Sequence, residues 1–128
     1  MRLTRDPVFG EVDLRASRDE LAGLADAVTA GTGHLASTAP ASDGALAGIE
    51  VRQAPGPGVL VRVDAGRNHL VISGDAGARA LLADNLRAMA TTDDGGHLHI
   101  DPFPGHPYLA ESSVPLVVSG PLGGMPHG

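Results

Sequence analysis

Short segments of alternating apolar and polar residues surround two segments of helical periodicity, and this pattern limits the chain to a few architectures. The first alternating segment, residues 11–16, places Val12, Leu14 and Ala16 on one face and charged residues on the other. Alternation of this kind is typical of a strand with one buried face. A strand is therefore predicted close to the N-terminus.

Three more strands are predicted in the middle of the chain, at residues 49–52, 59–63 and 69–73. The first two are separated by a turn cluster in which Pro55 and Pro57 are each followed by glycine. Prolines and glycines in such clusters favour reversal of the chain direction. Three short strands with tight connections predict an antiparallel meander.

The first helix is predicted at residues 18–30. Ser17 and Glu20 have the spacing of a capping box, in which each side chain accepts a hydrogen bond from the backbone amide of the other residue. Gly31 provides the stop signal. The apolar residues between these two signals recur at helical spacing and are Leu21, Leu24, Ala25 and Val28.

The second helix is predicted at about residues 76–91, with Asp75 as the N-cap. Its apolar stripe is predicted to consist of Ala78, Leu81, Leu82, Leu86 and Met89. A helix with one apolar stripe has to pack that stripe against another element of the fold.

The remaining segments complete the predicted organisation. Residues 31–47 are almost entirely small and polar and are predicted to be a flexible loop, and residues 120–128 to be a mobile tail. Last strands are predicted at residues 97–101 and 114–119. The order β-α-β-β-β-α-β-β predicts a single α+β domain over residues 1–119, with two helices packed on one face of an antiparallel sheet. We find no internal repeat of the kind that builds a solenoid.

The composition of the chain excludes several classes of function. The chain of 128 residues has a net charge of −6, which argues against a nucleic-acid partner because binding phosphates requires a basic surface. It contains no cysteine, which excludes disulfides, thiolate metal sites and a cysteine nucleophile. No signal peptide is evident, and no apolar run approaches the roughly 18 residues needed to span a membrane. We therefore expect a cytoplasmic protein without a membrane partner.

The predicted strand at residues 97–101 carries the clearest candidate chemistry. Its period of two places His97, His99 and Asp101 on one face. With His106 from the following loop, these residues could bind zinc or a similar metal. A solvated or partner-facing polar face is the simpler interpretation, because an amphipathic strand needs polar residues on its outer side. We expect no catalytic residue, no bound metal and no other cofactor.

The opposite face of the same strand carries Leu98 and Ile100. Both side chains are predicted to be buried against the second helix, where the nearest candidates are Leu82, Leu86 and Met89. Burial of Ile100 would confirm the strand phase, and with it the outward direction of the polar face.

The loop after this strand, residues 102–108, contains three prolines within six residues. Proline fixes the backbone φ angle and lowers the conformational entropy of the free loop. A rigid loop that displays an aromatic ring and a histidine suits partner docking. The simpler alternative is that both rings cover the end of the core. We predict that Phe103 closes the core while Tyr108 presents its hydroxyl to solvent or to a partner.

Other candidate sites carry weaker signals. Ser112 or Ser113, near His106 and Asp101, could form a nucleophile constellation, but a polar loop often contains these residue types by chance. His34 falls in the predicted loop and His69 at the start of a strand, so neither is assigned to a site.

The C-terminal part of the chain resembles the immunity protein 32 family. The residues that carry this resemblance are Pro-Gly-His-Pro-Tyr-Leu at 104–109 and Ser-Val-Pro-Leu-Val-Val at 113–118. Residues 71–75 and 80–86 are also similar, and the resemblance covers about residues 48–118. Members are small α+β proteins associated with bacterial polymorphic toxin systems.

The resemblance implies a non-enzymatic protein that binds a cognate toxin and blocks its active site or another essential surface. It leaves open the identity of the toxin and the oligomeric state. A small metal-dependent or hydrolytic enzyme that uses the same histidines is the alternative, and a structural subunit of a larger assembly is a second one. The expected partner-binding residues are His97, His99, Asp101, His106, Tyr108 and Glu111.

Overall fold

The computed structural model describes residues 1–6, 10–37, 45–64, 66–90, 97–102, 106 and 108–119, with only the backbone of His97 described. Within these residues the chain forms eight strands and two helices, which confirms the α+β class and the number of helices. In chain order they are β1 (Arg2–Arg5), β2 (Val12–Arg15), α1 (Arg18–Ala30), β3 (Gly33–Ala36), β4 (Gly48–Gln53), β5 (Val59–Asp64), β6 (His69–Gly74), α2 (Ala76–Ala90), β7 (His97–Ile100) and β8 (Leu116–Ser119).

Helix α1 has the predicted bounds and both predicted caps. The Ser17 hydroxyl accepts from the Glu20 amide at 3.2 Å, and the Glu20 carboxylate accepts from the Ser17 amide at 2.9 Å. Gly31 has a φ of 80°, and its amide donates to the Ala27 carbonyl oxygen at 2.9 Å. The left-handed conformation that ends the helix is one that glycine adopts without strain.

Helix α2 begins after Asp75, as predicted. The carboxylate accepts from the Ala78 amide at 3.0 Å and from the Gly58 amide at 2.8 Å. One side chain therefore caps the helix and also holds the turn that precedes β5. These two hydrogen bonds lower the pKa of the Asp75 carboxyl, because they stabilise its charged form.

One residue of the predicted stripe of α2 is exposed, and Arg79, Ala83 and Ala90 are buried in addition to the others. Leu81 is 46% exposed, whereas Arg79 is 5% exposed. Helix α1 packs against the side of α2 that carries Arg79 and Ala83, and this rotates the buried face away from Leu81. The side chain of Arg79 donates to the Val28 carbonyl oxygen at the end of α1, at 2.9 Å.

The strands form two mixed sheets rather than one antiparallel sheet. Their orders are β1-β2-β8-β7 and β3-β4-β6-β5, and in each sheet the two central strands are parallel while both outer pairs are antiparallel. The sheets are joined through segments outside the strands. Leu46 donates to the Leu3 carbonyl oxygen in the first sheet, and Val114 donates to the Val61 carbonyl oxygen in the second.

The predicted antiparallel meander of β4, β5 and β6 is wrong. Strand β6 lies between the other two, parallel to β4 and antiparallel to β5. The reason is visible in β6, where Leu70, Val71 and Ile72 are consecutive and all buried. A continuous apolar run of this kind is typical of a central strand covered on both faces. After β4 the chain therefore leaves one position of the sheet empty and forms β5 as the outer strand. Strand β6 then fills the position between them.

Two short strands were not predicted. Strand β1 has only Leu3 as a buried residue, and β3 lies inside the segment 31–47 that was expected to be a loop. Each strand is four residues long and contains a single leucine, and each forms by antiparallel pairing with its neighbour, β2 or β4. Residues 38–44 of the expected loop and the expected tail at 120–128 lie outside the described residues.

The order of elements repeats. Strands β1 and β2, helix α1 and strands β3 and β4 form one half of the fold, and β5, β6, α2, β7 and β8 form an equivalent second half. Each half contributes one antiparallel strand pair to each sheet. When the halves are exchanged, the order β1-β2-β8-β7 becomes β5-β6-β4-β3, which is the order of the other sheet.

The strand registers show that this equivalence is close. The pair Arg2 and Arg15 in the first half corresponds to Leu60 and Ser73 in the second, and every other pair of β1 and β2 shifts by the same number of residues. The helices share the tripeptide Leu-Ala-Asp at equivalent positions, beginning at Leu24 and at Leu82 in the two halves. The fold is therefore an internal duplication, although it is not a solenoid.

The core is continuous and, apart from Tyr108, aliphatic. One cluster of buried side chains includes residues of both sheets and both helices, among them Leu82, Leu86 and Met89. Ile100 is 1% exposed and belongs to this cluster, and Leu98 packs against it. The predicted phase of β7 is confirmed.

Candidate functional site

The connection between β7 and β8 carries most of the predicted site residues. Because these two strands are antiparallel neighbours, the end of β7 lies beside the start of β8. Asp101, His106 and Glu111 therefore lie in a segment that leaves and re-enters the same end of one sheet. His99 lies on β7 itself.

Three of the predicted residues are exposed. His99 points away from the core, opposite to the buried Ile100, and Asp101 and Glu111 are also exposed. Asp101 follows β7 and is not part of it. We call His99, Asp101, His106 and Glu111 the candidate recognition surface. The side chain of His97 and all of Phe103 lie outside the described residues.

His106 organises the backbone of the connection. Its Nδ1 atom accepts from the amides of Tyr108 at 3.2 Å and Leu109 at 3.0 Å. The neutral ring must then carry its proton on Nε2. A metal-binding histidine normally donates from its second nitrogen to an acceptor, so this arrangement does not suit His106 as a metal ligand.

The side chain of Tyr108 is largely buried, and its hydroxyl has a hydrogen-bond partner within the protein. It is 8% exposed, and its hydroxyl accepts from the Asn85 side-chain amide at 2.8 Å. Burial raises the pKa of the Tyr108 phenol because it disfavours the charged form. Asn85 supplies the hydrogen-bond partner that a buried phenol needs. The imidazole of His106 packs edge-on against the Tyr108 ring, with 4.6 Å between ring centroids.

Residues 108–114 are attached to the outer edge of β5. The Val59 amide donates to the Tyr108 carbonyl oxygen at 2.6 Å, and the Ala110 amide donates to the Val59 carbonyl oxygen at 2.7 Å. Further along, the Val114 amide donates to the Val61 carbonyl oxygen at 2.8 Å. A segment that begins at one sheet is therefore held against the other.

Ser113 takes part in this attachment. Its hydroxyl accepts from the Val61 amide at 3.0 Å and donates to the Val59 carbonyl oxygen at 3.3 Å. The side chain is buried, at 6% exposure. Both hydrogen bonds engage the hydroxyl with the β5 backbone, so the contacts of Ser113 are those of a structural residue and not of a nucleophile.

The outer face of the first sheet continues from the candidate recognition surface. His99 is in register with Val117, which is in register with Asp13, and Asp13 with Thr4. A shallow cleft on this face is lined by Arg2, Thr4, Asp13 and Arg15. The Oδ1 atom of Asp13 is buried there without a hydrogen-bond partner. A buried acceptor without a donor is costly, and a bound partner could satisfy it.

Sequence reasoning missed the roles of Arg79 and Asn85. The Arg79 guanidinium donates to the Gly74 carbonyl oxygen at 2.9 Å, in addition to Val28 and to Thr29 at 3.0 Å. Its charge lies at the C-terminus of α1, where the helix dipole favours a cation. Neither role leaves a local signal, because the α1 partners of Arg79 and the Tyr108 partner of Asn85 are more than 20 residues away in the sequence.

Among the described residues, no group of three or more histidine, aspartate or glutamate side chains is arranged to hold a metal ion. No helix in the described part of the chain is long and apolar enough to cross a membrane.

Comparison with known families identifies the C-terminal part of the chain. The family model for immunity protein 32 matches residues 69–121, which run from β6 to just beyond β8 and include the whole candidate recognition surface. No curated protein and no solved structure matches the chain significantly. The match shows that the segment from β6 to β8 is similar to immunity protein 32.

Proposed function

We propose that this protein is a cytoplasmic immunity protein that binds a cognate bacterial toxin and neutralises it without catalysing a reaction. The observation that carries the proposal is the immunity protein 32 match over residues 69–121. The matched segment contains every residue of the candidate recognition surface, so the family match and the proposed site involve the same part of the fold.

The proposed binding mode relies on a segment that is ordered before the toxin arrives. Residues 108–114 are hydrogen-bonded to β5, and Tyr108 is held by Asn85 of α2. A preorganised segment loses little conformational entropy on binding, so more of the contact energy contributes to affinity. His106 maintains the turn, while His99, Asp101 and Glu111 provide the side chains that contact the toxin.

The charge of this surface suggests the chemistry of the partner. Asp101 and Glu111 are exposed carboxylates on a chain with a net charge of −6. Complementary charge accelerates association and disfavours wrong partners. The toxin surface that fits here is therefore basic, and we expect association to slow as salt is added.

Tyr108 and His106 have positioning roles in this proposal. The Tyr108 ring is buried and its hydroxyl accepts from Asn85, so in this proposal the residue anchors the segment to α2. The hydrolytic alternative finds no support in the contacts of Ser113, which engages the backbone of β5, or of His106, which engages the amides of the following residues.

The experiment is to search the genes beside this one for a large secreted toxin and to co-express its C-terminal domain with this protein. We expect the wild-type protein to restore growth and to co-purify with the toxin. The double substitution Asp101→Lys and Glu111→Lys should abolish both effects while the protein remains folded. The double substitution Asp26→Lys and Asp84→Lys is the matched control, because it makes the same change of charge at two exposed carboxylates of the helices. Rescue by the double variant at the wild-type level would reject the proposed surface, and no rescue by the wild type would reject the function.

A further inference from the structure

Two histidines meet on the outer face of the second sheet. The Nε2 atoms of His34 and His69 lie 2.7 Å apart, and their ring centroids are separated by 4.9 Å. The residues come from β3 and β6, the two strands that flank β4. Gly48 of β4 is in register with His69 and has no side chain, so the two rings can meet above it. A Cβ atom at Gly48 would lie 3.4 Å from the His34 Nε2 atom.

The orientation of the His69 ring is set by the turn that precedes β6. Its Nδ1 atom lies 2.7 Å from the Arg67 carbonyl oxygen. A carbonyl oxygen only accepts, so Nδ1 carries the proton and Nε2 presents its lone pair towards His34. The turn is itself held by Asp64, whose carboxylate accepts from the amides of Gly66 at 3.1 Å and Arg67 at 3.3 Å.

This arrangement has the hydrogen-bonding pattern of a metal-binding histidine. Such residues ligate through one nitrogen and donate from the other to a carbonyl or carboxylate, which fixes both the tautomer and the ring orientation. His69 meets this condition with Nε2 as the available nitrogen. His34 contributes a second Nε2 atom directed at the same point, on the solvent-facing side of the sheet.

We infer that His34 and His69 form a binding site for a divalent transition-metal ion, with the two Nε2 atoms as ligands and water completing the coordination. Imidazole nitrogens suit Zn²⁺, Ni²⁺ and Cu²⁺, whereas Mg²⁺ and Ca²⁺ require oxygen ligands. Without the ion, His34 donates the one proton that lies between the two Nε2 atoms. The ion replaces that proton, and His34 then carries its proton on Nδ1.

The distances permit this exchange. Two nitrogens bound to one tetrahedral Zn²⁺ at 2.0–2.1 Å are about 3.3 Å apart. The observed separation of 2.7 Å needs to widen only slightly, and His34 is an exposed side chain that can rotate. The nearest carboxylate in register with His34 is Glu50, which is in ion pairs with Arg52 and with Arg67. Glu50 is therefore committed elsewhere, and water remains as the additional ligand.

The duplicated half of the fold supplies an internal comparison. The position equivalent to His34 is His99, but the positions equivalent to His69 and Gly48 are Glu11 and Pro115. The equivalent face of the first sheet thus has a histidine on its outer strand, but without a second histidine ring and without a glycine between the strands. The pair is specific to the second sheet and does not follow from the fold alone.

The test is titration of the purified full chain with Zn²⁺ alone, and separately with Cu²⁺, by calorimetry and by ¹⁵N NMR of the histidine rings. We expect one ion per chain, with the Nε2 resonances of His34 and His69 shifting together. His34→Ala and His69→Ala should each weaken binding by at least about tenfold, as the loss of a ligand or of its support does. Mg²⁺ should produce no shift.

The matched control is His99→Ala, which removes the equivalent exposed histidine and should leave the affinity unchanged. The double variant His97→Ala and His99→Ala extends this control to the whole of β7. Binding that survives the combined loss of His34 and His69, or that disappears with the β7 histidines, would overturn the inference. Failure of the wild-type protein to bind either ion in the titration would overturn it as well.

Discussion

The Asn85 side-chain amide donates a hydrogen bond to the Tyr108 hydroxyl at 2.8 Å, and this contact ties the β7–β8 connection to helix α2. The sequence predicts that the only tyrosine in the chain contacts a partner, and this hydrogen bond gives it an anchoring role instead. An exposed phenol would be a direct contact for a partner, whereas this one anchors the segment that carries Asp101 and Glu111. Stability and recognition are therefore linked through Tyr108.

Removing the Tyr108 hydroxyl should destabilise the protein. Tyr108→Phe leaves the Asn85 amide without its acceptor, and we expect the free energy of unfolding to fall by about 1 kcal/mol. Tyr108→Ala also removes the buried ring and should cost about 3 kcal/mol. Urea denaturation measures both. A double-mutant cycle with Asn85→Ala isolates the hydrogen bond, and additive single effects would show that the contact contributes nothing.

Ile100 should be a strong determinant of stability. It is 1% exposed in the core cluster, and Ile100→Ala should lower the free energy of unfolding by about 2–5 kcal/mol. The neighbouring exposed residue provides the control, because His99→Ala should change stability by less than about 0.5 kcal/mol. Equal effects of the two substitutions would contradict the assignment of inner and outer faces on β7.

The buried Arg79 should be more important for stability than any surface arginine. Arg79→Met leaves the carbonyl oxygens of Gly74, Val28 and Thr29 without their donor, and we expect a loss of about 2–4 kcal/mol. Arg87→Met is the comparison, since Arg87 is exposed and its ion pair with Asp26 should contribute about 0–1 kcal/mol. Thermal and urea unfolding of both variants measure the difference. A smaller effect at Arg79 than at Arg87 would refute its capping role.

The Asp75 carboxylate should make stability depend on acid pH. Hydrogen bonds from Ala78 and Gly58 lower its pKa in the folded state. The unfolded state therefore binds more protons as the pH falls below the ordinary aspartate value of about 3.9. The contribution is present above that pH and is lost as the pH falls through the folded pKa.

The measurement is the urea midpoint of the wild type and of Asp75→Asn between about pH 5 and pH 2. The difference between the two proteins should shrink as the pH falls. The Glu20 carboxyl at the start of α1 titrates in the same direction, because hydrogen bonds also lower its pKa. Only the difference between the wild type and Asp75→Asn is therefore informative. A difference that stays constant over the range would exclude the carboxylate as its source.

The candidate site was predictable where its signals were local. Alternation along residues 97–101 predicted an exposed His99 and a buried Ile100, and both are observed. The direction of the Tyr108 side chain was not predictable, because its partner Asn85 belongs to another element. The His34–His69 pair was missed for the same reason, since the two rings meet across a third strand.

By itself the sequence determined the two helices, the caps at Ser17, Gly31 and Asp75, the α+β class and the inner and outer faces of the longer strands. These features depend on contacts within about four residues or on a period of two, so a short segment of sequence is enough to predict them. Only the tertiary structure decided which strands are neighbours, the formation of two sheets, and the duplication of the fold. Strand pairing depends on which apolar faces can be buried together, and any segment with a suitable face can serve. For this reason Leu3 and Val61 occupy equivalent positions in the two halves although almost nothing around them is alike in sequence.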